Sequence, residues 1–435
     1  MSFSNVQQRI LEPVFDKSGL RVEFRLPSES AFLSDLRLIN IGIDSDSATD
    51  EPNRLLGVLG AIKRIAILDR SEQLDAINVA TIYNAFRNAN QVNDANLSMN
   101  RFLKYLQTGY VFQGNYEIAA ANGQFNVSPP KITQQNSIDY AGGGSKLNTQ
   151  RAWISLKDML PFLRSSIVLP TSVFRQMRVV VEFNSSAELQ YLTQVSTATR
   201  TTAEGALLLA DEVAAGPMRD SLMKEFKGVV YRPIESELVI APAITGLADV
   251  AGQATSDQKN QYLLTGANGK KLYKMAIVQT PTDTATWLDG ANVKGFGNVG
   301  SVAQFKTGVQ LIVNGVPKLP STGMRPSATG SYANRRLAFL NDSWGIFNVI
   351  TGQNQVALNQ PRTADYLADQ NLIGQQDYIG ILVDENINEL QLQYDRTGVV
   401  NNAALNQSLD LNCFYEVEKA VVMNSDMTYN VIYTQ

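Results

Sequence analysis

Apolar and polar positions alternate over much of this chain, a period of two that predicts strands rather than helices. Leu20, Val22, Phe24 and Leu26 alternate against polar neighbours, and residues 36–43 continue the pattern. Residues 175–184 (RQMRVVVEFN) form a strongly β-favouring run, followed after an insertion by a second at 229–242 (VVYRPIESELVIAP). The same order recurs later: 389–395 (ELQLQYD), a polar spacer, then 413–423 (CFYEVEKAVVM). Strand, spacer, and strand with glutamates leading into an aliphatic tail, met twice, predict a duplicated β-domain and hence two similar β-sandwiches.

Between these runs the pattern changes. Residues 55–75 predict a strand with a polar turn at 69–73, feeding a helix that reaches Phe86. Phe3, Val6, Ile10 and Leu11 predict a short amphipathic helix over 3–12, closed by Pro13. The Ala/Leu/Glu-rich stretch 203–215 reads as helix by propensity, broken at 216–217 and resumed over 218–227, so 186–227 is expected to be a helical insertion. Residues 88–150 are too long and too rich in Asn, Gln and Gly for an ordinary hairpin loop. Residues 243–269 read as a linker, which sets a boundary near 245 and domains at 1–245 and 246–435. The second half predicts strands at 271–280, 309–313 (turning at Asn314 and Gly315), 337–340, 378–383, 390–394 and 412–423. A loop at 320–334, a helix at 363–373 and a closing hairpin of 419–423 with 429–433 complete it.

Composition then eliminates chemistry. The 435 residues suffice for two cores, and 18% charged residues leave much of the surface to Asn, Gln, Ser and Thr. Histidine is absent, which removes imidazole as base, nucleophile partner and metal ligand. The single cysteine, Cys413, forbids an intrachain disulfide and sits in an apolar alternating strand, where a buried structural thiol is favoured. A net charge of −4 with scattered Lys and Arg argues against a phosphate-neutralising surface, so no specific nucleic-acid binding is expected. The start of the chain lacks the basic and apolar regions of a signal peptide, and no apolar run approaches the ~20 residues of a membrane span.

The sequence motifs are weak. Residues 295–300 (GFGNVG) match GxGxxG, but β-like sequence follows and no acidic residue occurs between Asp289 and Asp342, so a glycine-rich loop is favoured over a dinucleotide site. Residues 266–271 (GANGKK) and 142–146 (GGGSK) lack phosphate-loop spacing and read as turns. Asp44, Asp46, Asp50 and Glu51 lack the bend glycine and distal glutamate of a calcium loop. The pairs Glu235/Glu237 and Asp384/Glu385 keep a glycosidase alternative open, since two carboxylates suffice for that chemistry. No catalytic, cofactor-binding or metal-ligating residue is assigned.

Three blocks carry a resemblance: residues 57–75, residues 154–184 (ISLKDMLPFL, then VLP, then RVVVEFN), and 414–423 (FYEVEKAVVM). Together they resemble the double jelly-roll major capsid proteins of tailless icosahedral double-stranded DNA viruses, the lineage of polinton-like viruses, virophages, tectiviruses and adenoviruses. The resemblance implies a mainly β chain of two consecutive eight-stranded jelly-roll β-sandwiches with short helices and long loops. It also implies homotrimeric, pseudo-hexagonal capsomers and a place in the virion. Partners would be further copies, minor capsid or penton proteins, and through the N-terminal arm an internal membrane. The other reading of a β-sandwich, a carbohydrate-binding or glycoside-hydrolysing protein, fits less well with the absence of a leader and of disulfides.

Overall fold

The computed structural model describes residues 6–17, 20–39, 41, 43–44, 61–80, 111–112, 132–133, 153–193, 199–200, 205–244, 255–282, 288–289, 292–293, 309–318, 378–399, 408–426 and 428–434. Strands dominate them, and their pairings are antiparallel.

In the first sandwich, one sheet runs Phe15–Lys17, Arg21–Arg25, Met177–Phe183, Ile62–Asp69, Glu72–Ile77. The facing sheet runs Trp153–Ser155, Arg37–Ile39, Leu207–Val213, Ala31–Leu33, Val168–Pro170, with Val6–Leu11 also paired to Leu207–Val213. Val22, Phe24, Ile65, Ile67, Val179 and Val181 meet Phe32, Leu38, Leu208 and Ala210 between them. These are alternate positions on each strand, as the period of two requires.

The second sandwich has two four-stranded sheets. One is Ile234–Ala241, Leu409–Val417, Lys271–Pro281, Tyr378–Asn386; the other is Thr255–Leu264, Leu390–Val399, Val309–Val313, Val316–Pro317. Met275, Ile277, Leu311, Leu392, Tyr394, Leu411, Cys413 and Tyr415 fill its core. The intervening residues Ala276, Val278 and Phe414 belong instead to the core of the first sandwich. This central sheet is thus buried on both faces, which explains why 411–417 reads as a nearly continuous apolar run. A three-stranded sheet of Gly228–Tyr231, Lys419–Met423 and Tyr429–Tyr433 completes the junction.

Several expectations are met: the strand at 177–183, the hairpin of 419–423 with 429–433, and the turn at Asn314 and Gly315. Those two residues have φ of 51° and 80°, the paired positive values of a tight hairpin turn.

Others are corrected. The segment expected as an N-terminal helix is the strand Val6–Leu11, because its six residues gain a complete ladder against Leu208–Val213 that an isolated turn and a half of helix could not match. The stretch 203–215, helical by propensity, contains the strand Leu207–Val213; pairing on both edges, and burial of Leu208 and Ala210, outweigh propensities worth a few tenths of a kcal/mol per residue. The helices of the insertion are Ser186–Thr193 and Pro217–Glu225. Ser185 and Glu188 cap the first reciprocally, the Ser185 amide donating to Glu188 Oε2 at 2.8 Å. The stretch 243–269 contains the strand Thr255–Leu264, paired over ten residues with Leu390–Val399. Its polar sequence (TSDQKNQYLL) hides it because the stabilising partner is a backbone ladder.

The two runs taken as equivalent domain ends are direct partners: Ile234–Ala241 pairs with Leu409–Val417, and Gly228–Tyr231 with Lys419–Met423. The expected strand at 337–340, helix at 363–373 and loop at 320–334 lie outside the described residues, as do the 295–300 and 142–146 motifs and Asp46, Asp50 and Glu51.

Candidate functional site at the seam of the two sandwiches

The chemistry-bearing side chains gather where the late strands cover the first sandwich. Glu72–Ile77 ends its sheet, so its outward backbone carbonyls need donors from elsewhere. Lys419 Nζ donates to the carbonyl of Gln73 at 2.7 Å, and the Tyr231 hydroxyl donates to the carbonyl of Leu74. Asp75, 1% exposed, accepts the backbone N–H of Phe162 on Oδ2 at 2.8 Å, satisfying one orphan donor in the first turn of the helix Pro161–Ser165. Asp69 accepts the Gln176 amide on Oδ1 at 2.8 Å and the Tyr429 hydroxyl on Oδ2 at 2.7 Å.

Aromatic rings pack beneath these bonds. Phe162 meets Tyr231 edge-on at 5.3 Å, and Phe174 meets Phe226 at 5.8 Å and Tyr429 at 5.0 Å. Each such pair adds about 0.5–1.5 kcal/mol beyond its buried area. Burial drives the Asp75 carboxyl up to about 7, against the opposing pull of the Phe162 amide and Lys419. Burial likewise lowers Lys419, partly offset by Glu235, Asp75 and Glu72. Desolvation disfavours the charged form of each group.

The carboxylate pairs kept open by sequence are engaged separately. Glu235 binds Lys270 and the Tyr433 hydroxyl. Glu237 accepts the Gly266 amide at 2.9 Å, the Thr265 amide at 3.2 Å and the Tyr415 hydroxyl at 2.9 Å, staple-like bonds that fix the turn at 265–270. Glu385 pairs with Lys318, and Asp384 lies 3.7 Å from Lys271. Each acid therefore has its own cation or amide partners. Cys413 is fully buried, and burial pushes its thiol well above the ordinary thiol range. Among the described residues no group of three or more acidic or cysteine ligands gathers, and no helix is long and apolar enough to cross a membrane.

Sequence reasoning missed Asp69, Asp75 and Lys419. The only local signal was a charged residue directly beside apolar runs, Asp69 after 65–68 (IAIL), Asp75 between Leu74 and Ala76, and Lys419 before 420–423 (AVVM), since charge next to a core needs a partner.

No protein-family model matches the sequence. No curated protein matches it either. Solved structures do resemble it. A chain in the 3.5 Å structure of the Sputnik virophage superimposes with a TM-score of 0.56 at 11% identity, covering 99% of this chain and 88% of that one. PBCV-1 VP54, fitted into a reconstruction of the virophage Sputnik, gives 0.55 at 11% identity over 100% and 98%. The mavirus major capsid protein gives 0.52 at 11% identity over 99% and 90%. Two sandwiches, joined through a sheet buried on both faces, give this chain the fold of the double jelly-roll major capsid proteins.

Proposed function

We propose that this chain is the major building block of a viral shell, assembling as a homotrimeric, pseudo-hexagonal capsomer, and that it acts by shape rather than catalysis. The observation that carries this reading is the fold comparison: the likeness extends over 98% of PBCV-1 VP54 and 90% of the mavirus major capsid protein, both sandwiches included. Two jelly rolls per chain place six around a threefold axis, so a trimer can fill a site with six neighbours. Exposed apolar side chains on outer elements support contacts between copies, among them Ile10, Val14, Phe15 and Leu20 near the N-terminus and Leu238 and Ile240 farther on. We place the division between the sandwiches ahead of Ile234, since Ile234–Ala241 is paired to Leu409–Val417.

The test is the solution mass. Three copies of the 47.7 kDa chain give about 143 kDa, and interfaces of this obligate kind exceed ~2,000 Å². Light scattering at micromolar concentration should give the trimer, and electron microscopy should show pseudo-hexagonal particles. A stable monomer would refute the assembly. Turnover of a polysaccharide, lost in Glu235→Gln or Asp384→Asn, would refute the non-enzymatic reading.

A further inference from the structure

We propose that the seam is a proton-linked latch: the closing hairpin, Lys419–Met423 with Tyr429–Tyr433, docks most tightly on the first sandwich when Asp75 carries a proton, and loosens as the pH rises from acid toward neutrality. This holds whether or not the chain builds shells.

The geometry is that of a carboxyl without enough donors. Asp75 is buried, its Oδ2 takes the Phe162 amide, and its Oδ1 has no hydrogen-bond partner. The adjacent Ala76 amide is the other backbone dipole favouring its charge. The nearby ammonium, Lys419, is only 5% exposed and spends its hydrogen bond on the Gln73 carbonyl rather than on the carboxylate. An ionised carboxylate left with an unpaired oxygen in such a place is costly, and a proton on that oxygen removes the cost.

The other titratable or charged groups facing this pair come from every packed element: Arg164 from the short helix, Glu72 from the same strand, Tyr231 and Glu235 from the strands that follow the insertion, Tyr433 from the hairpin, and Lys270 behind Tyr433. Among these the carboxylate of Glu235 already has Lys270 and Tyr433 as partners. Lys419 is left as the hairpin's own cation toward Asp75.

The sign follows from linkage. With the hairpin docked, Asp75 holds its proton up to about pH 7; undocked and hydrated, it reverts toward its ordinary value of 3.8. The docked state therefore binds the extra proton between those two pH values. Docking is strongest below them, weakens through the window, and is flat above it. Lys419, shifted downward, acts in the opposite sense only at higher pH, where docking favours its neutral form.

Hydrogen exchange of the peptide spanning 419–433, corrected for intrinsic rates, reads the docking equilibrium directly. Between pH 5.5 and 8.5 the full chain should show a roughly thirtyfold rise in hairpin opening. Asp75→Asn, which cannot ionise, should show no such rise. Infrared difference spectra should show a protonated carboxyl band in the wild type at pH 6 that fades by pH 8 and is missing from Asp75→Asn. Should Asp75→Asn fail to fold, the wild-type infrared titration and exchange profile decide alone. A carboxylate already ionised at pH 5.5, or hairpin exchange independent of pH across the window, would overturn the latch.

Discussion

The hydroxyl of Tyr429 donates to Asp69 Oδ2 at 2.7 Å, tying together residues 360 positions apart. The ring also packs against Phe174 at 5.0 Å. Tyr429→Phe keeps the ring and removes only the donor, so it should cost about 1.5–3 kcal/mol, the range for a hydrogen bond to a charged group. Urea unfolding measures this. An unchanged midpoint would show that Asp69 is satisfied by water or by Gln176 alone.

Gly228 lies where two strands nearly touch. Its φ is +121°, and a Cβ built on it would fall 2.2 Å from the carbonyl oxygen of Val421. Gly228→Ala must separate the Gly228–Tyr231 and Lys419–Met423 strands and strain the backbone. The expected loss is about 2–5 kcal/mol. Gly205→Ala, where nothing lies within 4 Å, is the matched control and should be nearly neutral in the same thermal melt.

Removing residues 1–11 takes away a strand, not a loose arm. Six ladder positions on Leu208–Val213 lose their partners, and Glu212 loses Arg9, whose guanidinium lies 2.9 Å away. The truncated chain should melt several degrees lower and aggregate through the exposed edge. Equal melting of the two forms, by calorimetry and light scattering, would count against any structural role for the strand.

Cys413 should resist modification. It is fully buried with its thiol held protonated by burial, so a thiol reagent at pH 8 should label less than a tenth of native chains over about an hour and one equivalent in denaturant. Rapid native labelling would place Cys413 at an accessible surface.

The elements readable from sequence were those whose own side chains carry the signal: alternating where one face is buried, nearly continuous in 411–417 where both are. Val22, Phe24 and Leu26 point into one core and display a clean period of two. Leu207–Val213 was not legible, because Leu, Ala and Glu favour helix and only the strands on either edge reverse that preference. Thr255–Leu264 was hidden for the opposite reason: it carries little apolar signal and is fixed by ten backbone pairings. At the seam, Asp69 and the Gln73 carbonyl were not legible, because their partners Tyr429 and Lys419 arrive from the far end of the chain. Local pattern cannot supply a contact across such a separation, since the contact depends on which face the late hairpin covers.

That separation also has a meaning in time. At a synthesis rate of about 5–20 residues per second, Tyr429 leaves the ribosome roughly 20–70 s after Asp69. The strands of the first sandwich have long been made by then, yet the Gln73 carbonyl and Asp69 lack Lys419 and Tyr429 until 419–433 appear. Early folding must therefore wait, with one flank open to solvent or to a chaperone, and the hairpin acts as a completion mark: a chain interrupted before residue 419 keeps that flank bare and is distinguishable from a finished one by its exposed edge.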